Sequence, residues 1–157
     1  MTTTVVAETE RERLAVCAHA LASAAPAGMF SLVLTLIAVA NLTLVPLAAP
    51  DAIGAVVLHI GVLVMGLVVQ WLAFRVRFDA ALFADLSARA QHNALDLQRF
   101  DGAMVALNLM PPTRAGRDID ARCRGALRLL RVEGYLVVAQ AASLACAGMA
   151  MLGPTFE

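Results

Sequence analysis

The sequence predicts an all-α fold: a small polytopic membrane protein with three transmembrane helices and a helical cytoplasmic extension between the second and third. Three observations carry that prediction. Of 157 residues, 61% are hydrophobic and 15% charged, against roughly 45–50% and about 25% in ordinary soluble domains. One small soluble domain has too little interior for that excess, so the surplus requires lipid. Three stretches, 27–47, 52–74 and 132–152, reach the roughly 20 apolar residues that cross a hydrocarbon core about 30 Å thick. All twelve basic residues are arginine, and their placement is one-sided. Arg11 and Arg13 precede the first span, and the other ten fall between Arg75 and Arg131. The positive-inside rule then puts the N-terminus and the 75–131 segment in the cytoplasm of an inner-membrane protein, with the C-terminus outside.

Residues 1–26 form a mixed-charge cytoplasmic segment, "AETERERLAVCAHA" at its centre, compatible with an amphipathic helix. A secretory signal opens on a short basic region instead, so no cleaved leader is expected. Pro26 is tolerated in the first turn of the first span, 27–47. The link "AAPD" permits only a tight hairpin, which makes the first two spans antiparallel neighbours.

The second span, 52–74, runs without glycine or proline into the charged stretch "RVRFDAALFADL", so the helix is expected to continue past Phe74. Phe78, Leu82, Leu86 and Ala90 recur at helical spacing, and Asp85 precedes Arg89 by four, a solvated pair. A break is expected near "QHNALD", with Asn93 as N-cap and Asp96 three residues on. The next helix then spans 94–109, with Leu97, Phe100, Met104 and Leu107 on one face. Pro111 and Pro112 end it, and Asp118 starts a helix running into the third span.

Reach supports the break. At about 1.5 Å per residue, an unbroken 75–108 helix would extend roughly 50 Å, while 118–131 covers only about 20 Å. The 3/4 alternation of positions 83, 86, 90, 93, 97, 100, 104 and 107 would also suit one long helix on a partner. The third span is the least apolar, rich in Ala, Gly and Ser, and residues 153–157 form a short external tail. Trp71 and Tyr135 fall at the inner interface, where aromatic rings prefer to lie.

His59 is the one clearly titratable side chain well inside a span. Asn41 lies at nearly the same depth on the neighbouring helix and is the expected hydrogen-bond partner. Gln70 and Gln140 form a second depth-matched pair near the inner leaflet. Interhelical hydrogen bonding is the expected role of both pairs, and a proton- or ligand-binding locus at His59 is the functional alternative. Ala141, Ala145 and Gly148 offer a small-residue face for close helix packing. Arg124, Arg128 and Arg131 share one face of the helix entering the third span, suited to anionic lipid headgroups or to ordinary positive-inside bias. The acidic run Asp118–Asp120 reads as a first helical turn, and His92 as part of a turn. Cys17, Cys123 and Cys146 show no metal or disulfide spacing and read as small buried apolar residues.

Neither a metal nor a cofactor site is expected. Interleaved aspartates and the lack of an aromatic platform argue against nucleic-acid binding. Without HExxH, GxSxG or a phosphate-cradling loop, an enzyme is the least expected class. Two readings remain. The first is a non-catalytic membrane subunit or scaffold that self-associates or docks on a larger complex. The second is an oligomeric channel or transporter component with a polar locus near His59.

Overall fold

The computed structural model describes residues 2–48, 53–91 and 96–152. The described residues are helical, with no strand: α1 Thr2–Ala22, α2 Ala25–Ala48, α3 Ile53–Gln91, α4 Leu97–Ala106 and α5 Ile119–Leu152, plus a 3₁₀ turn Pro112–Arg114. Helices within Glu8–Leu44, Ile53–Gln91 and Ile119–Ala150 are long and apolar enough to cross a membrane, the third being the least apolar. Between 22% and 28% of their most apolar windows is buried. The remainder faces outward, as lipid-facing helices require.

The chain divides into two compact units. One comprises residues 23–76 and 129–157, the other residues 1–22 and 77–128. In the first, α2, the N-terminal half of α3 and the C-terminal half of α5 share a core. Its positions follow a heptad rhythm. Along α3, Ala55, His59, Val62, Val69, Ala73 and Val76 are buried, an alternation of three and four completed by Gly66. Along α5 the buried Glu133, Gln140 and Ala147 recur every seven residues, a spacing shared by Ile119 and Ala126, which belong to the other unit. Such a seam is what left-handed helix packing produces. The opposite faces present Val64, Leu67, Trp71, Phe74, Tyr135 and Val138, all exposed. So many outward apolar side chains would be a liability in water.

The second unit is held differently. Leu14, Cys17, Ala18 and Leu21 bury one face of α1 at helical spacing. Ala80, Phe83 and Leu86 carry the α3 seam onward. The expected Asp85–Arg89 pair is present at 2.8 Å.

The helix break falls where expected, α3 ending at Gln91 and α4 beginning at Leu97, but the cap differs. Asp96, expected three residues inside the helix, is itself the N-cap of α4, its carboxylate accepting from the Arg99 amide at 2.9 Å. Asn93, the expected cap, and His92 lie outside the described residues. α4 also stops before the prolines reach it. Asn108 takes a left-handed φ of 55°, with Asn108 N donating to Val105 O and Leu109 N to Met104 O, both at 3.0 Å. These two bonds form a Schellman cap. Asp118 starts α5 as expected, its carboxylate accepting from Ala121 N at 2.9 Å.

Candidate functional site

The polar interior of the 23–76/129–157 unit centres on Gln140. Its position on the α5 seam drives the amide inward, and a buried amide needs partners on both ends. Ser31 Oγ donates to Gln140 Oε1 at 2.7 Å, and Gln140 Nε2 donates to Thr35 Oγ1 at 2.9 Å. Longer contacts of 3.4 Å reach the carbonyls of Ser31 and Val62. Thr35 passes its own proton back to Ser31 O at 2.8 Å. Ser31 and Thr35 are one helical turn apart, so both hydroxyls face the same amide. Gly66 on α3 makes room: a Cβ there would overlap Thr35 Oγ1 and stand 2.9 Å from Gln140 Nε2. The cluster thus binds α2 to α5 across a gap in α3 that glycine keeps open.

Gln70 is not Gln140's partner. Its Nε2 donates to Gly28 O on α2 at 2.9 Å. Gln140 lies against Val62 and Gly66, one to two turns from Gln70 along α3, or roughly 6–12 Å of helix rise.

Nor do His59 and Asn41 form the expected hydrogen bond. His59 is fully buried at 0% exposure, and its Nδ1 donates to Ala55 O, one turn back, at 2.7 Å. That bond requires a proton on Nδ1, which in the neutral ring leaves Nε2 as an acceptor; Nε2 has no partner among the described residues. Asn41 is half-buried. Glu133, which sequence reasoning passed over, is 1% exposed on the same seam. Its spacing of seven from Gln140 was the available signal.

The proposed α5 packing face, Ala141, Ala145 and Gly148, lies beside the seam. Ala145 is exposed, Ala141 and Gly148 are half-buried, and Ala147 takes the inward position. Arg124, Arg128 and Arg131 are exposed and make no ion pair among the described residues.

In the 1–22/77–128 unit the buried charge is Asp101, 4% exposed. Arg122 Nη2 reaches its two oxygens at 2.8 and 2.7 Å, and Gly116 N donates to it at 2.7 Å. Gly116 sits at φ 76°, a conformation glycine adopts without strain. Arg122 Nε also donates to Arg117 O at 2.9 Å. Asp101 therefore locks α4, the following turn and α5 together. No sequence signal beyond opposite charge foretold this pair. Asp120 pairs with Arg13 of α1 at 2.9 Å. Among the described residues no group of His, Cys, Asp or Glu is arranged to hold a metal.

The cysteines depart from the uniformly buried reading. Cys17 is buried, Cys123 half-buried and Cys146 exposed, because the seam turns positions 140 and 147 inward and leaves 146 outside. Burial first, then the Cys123 side chain and the Asp79 carboxylate, push Cys17 up to about 12. Cys123 is also raised, chiefly by burial, with Cys17 opposing.

A groove of about 760 Å³ runs along the same unit, floored by Phe78, Leu82, Leu86, Phe100, Met104 and Leu109 and rimmed by Asp85, Arg89, Asp96 and Arg99. No protein-family model, curated protein or solved structure matches the chain.

Proposed function

We propose that the chain is a non-catalytic integral membrane subunit or scaffold of the inner membrane, which self-associates or docks on a larger membrane complex. The observation that carries this reading is the groove of the 77–128 segment. Its apolar floor is suited to the apolar face of another helix, and its rim alternates two aspartates with two arginines, leaving no net charge to favour an ionic ligand. The polar interior of the other unit supports the same reading. Ser31, Thr35 and Gln140 are occupied by one another, tying helices together, whereas catalysis needs polar groups that converge on an open pocket.

In this reading the N-terminus and residues 75–131 lie in the cytoplasm and residues 153–157 outside. Arg124, Arg128 and Arg131 then meet anionic headgroups of the inner leaflet. Ala145, exposed on α5, belongs to a second contact surface.

Crosslinking in native membranes followed by mass measurement is expected to give a species above the 16.5 kDa of one chain. A Met104→Arg change in the groove floor is expected to lower its yield. A strictly monomeric band in both would sink the reading. Orientation is best probed with Gln98→Cys, since Gln98 is exposed and the native Cys123 is half-buried with a raised pKa. An impermeant thiol reagent should label that position only after the cells are permeabilised.

The channel or transporter reading has one observation in its favour, the buried His59 Nε2 without a partner among the described residues. It requires a ring of copies, and it predicts that His59→Ala abolishes a pH-dependent flux while the fold survives.

A further inference from the structure

The groove of the 1–22/77–128 unit has two walls. Phe78, Leu82 and Leu86 come from α3, and Phe100, Met104 and Leu109 from α4 and the turn after it. Residues 92–96 alone separate the two helices, yet Phe78 and Leu109, far from that link, line the same groove as Arg89 and Asp96 beside it. α4 therefore runs back along α3 as an αα-hairpin. About 760 Å³ stays open along its apolar lining, and Leu107 on that lining is 68% exposed. An apolar surface of this kind needs cover in water.

The charges of the rim say what fits. Counted from the link, α3 presents Arg89 and then Asp85, whereas α4 presents Asp96 and then Arg99. The two walls carry the same charges in opposite order. Asp85 pairs with Arg89 on its own helix, and Arg99 makes no ion pair among the described residues. We propose that the cover is a second copy of the chain, the two hairpins packing groove to groove about a twofold axis. Leu107 of each copy then rests on the apolar floor of the other, and Arg99 of each faces Asp85 of the other.

The membrane selects this arrangement. Copies that share a membrane point the same way, so a twofold axis along its normal keeps every residue at its own level. The α3 wall of one copy then meets the α4 wall of the other with base against acid. A reversed pair would set Asp85 against Asp96 and Arg89 against Arg99, and insertion in one membrane forbids it. The contact is self-complementary, as a twofold interface must be. This inference rests on the subunit reading and narrows its partner from any helix to an identical chain.

The test co-expresses two full-length copies with different affinity tags and isolates one of them in mild detergent. Wild-type copies should bring each other down. Arg99→Asp sets an acid against Asp85, and Asp85→Arg sets a base against Arg99. Either variant paired with itself should lose co-isolation by about tenfold or more, since like charges facing each other oppose an interface. Copies carrying Arg99→Asp should nevertheless recover it with copies carrying Asp85→Arg, because both cross contacts again join opposite charges. Misfolding of either variant cannot give that recovery. Leu107→Glu, at an exposed position, should abolish co-isolation while the chain stays helical. The dimer is overturned, with the subunit reading left standing, if the chain brings down a different membrane protein and not its own copy. It is equally overturned if the copies co-isolate regardless of these changes, or if the mixed pair shows no recovery. A chain that brings down nothing overturns both.

Discussion

The two units solve the same problem, fastening helices together, with different chemistry. In the 23–76/129–157 unit the hydrogen bonds described above join neutral groups: Ser31, Thr35 and Gln140 share one cluster, and Gln70 meets a backbone carbonyl, beside the buried carboxyl of Glu133. In the 1–22/77–128 unit the ties described above between helices are ionic: Asp101–Arg122 inside and Arg13–Asp120 outside. On the membrane reading proposed above, the difference follows from solvent. A unit whose outer faces carry Trp71, Phe74 and Val138 is built for lipid, where an unpaired charge has nowhere to go. Neutral amides and hydroxyls can satisfy one another completely and carry no ionic desolvation cost. The other unit, in water on that reading, tolerates charge at its surface, because an exposed ion keeps most of its hydration.

The sharpest way to break this comparison is at Asp101. Removing one member of a buried ion pair strands the other, at about 3–5 kcal/mol. Asp101→Ala strands Arg122, whose side chain is 13% exposed, and also frees Gly116 N. Its denaturation midpoint in detergent should fall further than that of any variant below. The double change Asp101→Leu with Arg122→Met should recover much of the loss, because paired replacement removes the stranded charge. Failure of the double variant to recover would mean that the contact to Gly116 dominates.

Next is the neutral cluster. Gly66→Ala puts a methyl into Thr35 Oγ1, and overpacking of this kind costs typically 1–3 kcal/mol. The companion change Thr35→Ala should relieve part of it. Gly61→Ala is the control: nothing lies within 4 Å of a Cβ there, so the gain of up to about 1 kcal/mol in helix propensity should show instead. Opposite signs at two glycines five residues apart on one helix would establish the cluster as the reason for Gly66. Equal effects would remove that reason.

Much of this architecture was legible in the sequence, and the parts that were not share a cause. Counting along an apolar helix gives depth, which located the long apolar helices, carried α3 past Phe74 and brought Gln70 and Gln140 to within about two turns. Depth does not give rotation about the helix axis. The heptad seam supplies rotation, and it was visible at 119, 126, 133, 140 and 147 had Glu133 and Gln140 been read as core positions. Caps were readable where one residue competes alone, as at Asp118, and ambiguous where Asn93 and Asp96 both fit. A tertiary pair far apart in sequence, Asp101 with Arg122, had no local pattern to announce it.

His59 should matter less than its position suggests if its role is structural. His59→Leu deletes the bond to Ala55 O, worth about 0.5–1.5 kcal/mol, but it also deletes a buried acceptor with no partner among the described residues. The two effects oppose, so the net change in stability should lie within about 1 kcal/mol of zero. A larger loss would mean that Nε2 has a partner in the assembled membrane, which is the condition the channel reading needs.

The smallest effect belongs to Arg13 and Asp120. Their geometry is good, with one guanidinium nitrogen 3.0 and 2.9 Å from the two carboxylate oxygens. Their side chains are nevertheless 55% and 47% exposed, and exposed pairs contribute about 0–1 kcal/mol after solvent screening and side-chain entropy. Arg13→Ala should therefore lower stability by less than about 1 kcal/mol at low salt. The loss should vanish near 1 M salt, where the screening length is only about 3 Å. Asp101→Ala, a change to the same type of pair, should keep most of its cost at that salt, because its partner is shielded from ions by burial. The ratio of the two effects across salt concentration measures burial, independent of the chemistry of the pair. If Arg13→Ala proved costly and insensitive to salt, α1 would be held by charge rather than by Leu14 and Leu21. In that case both ion pairs would belong to the interior, and exposure would no longer distinguish them.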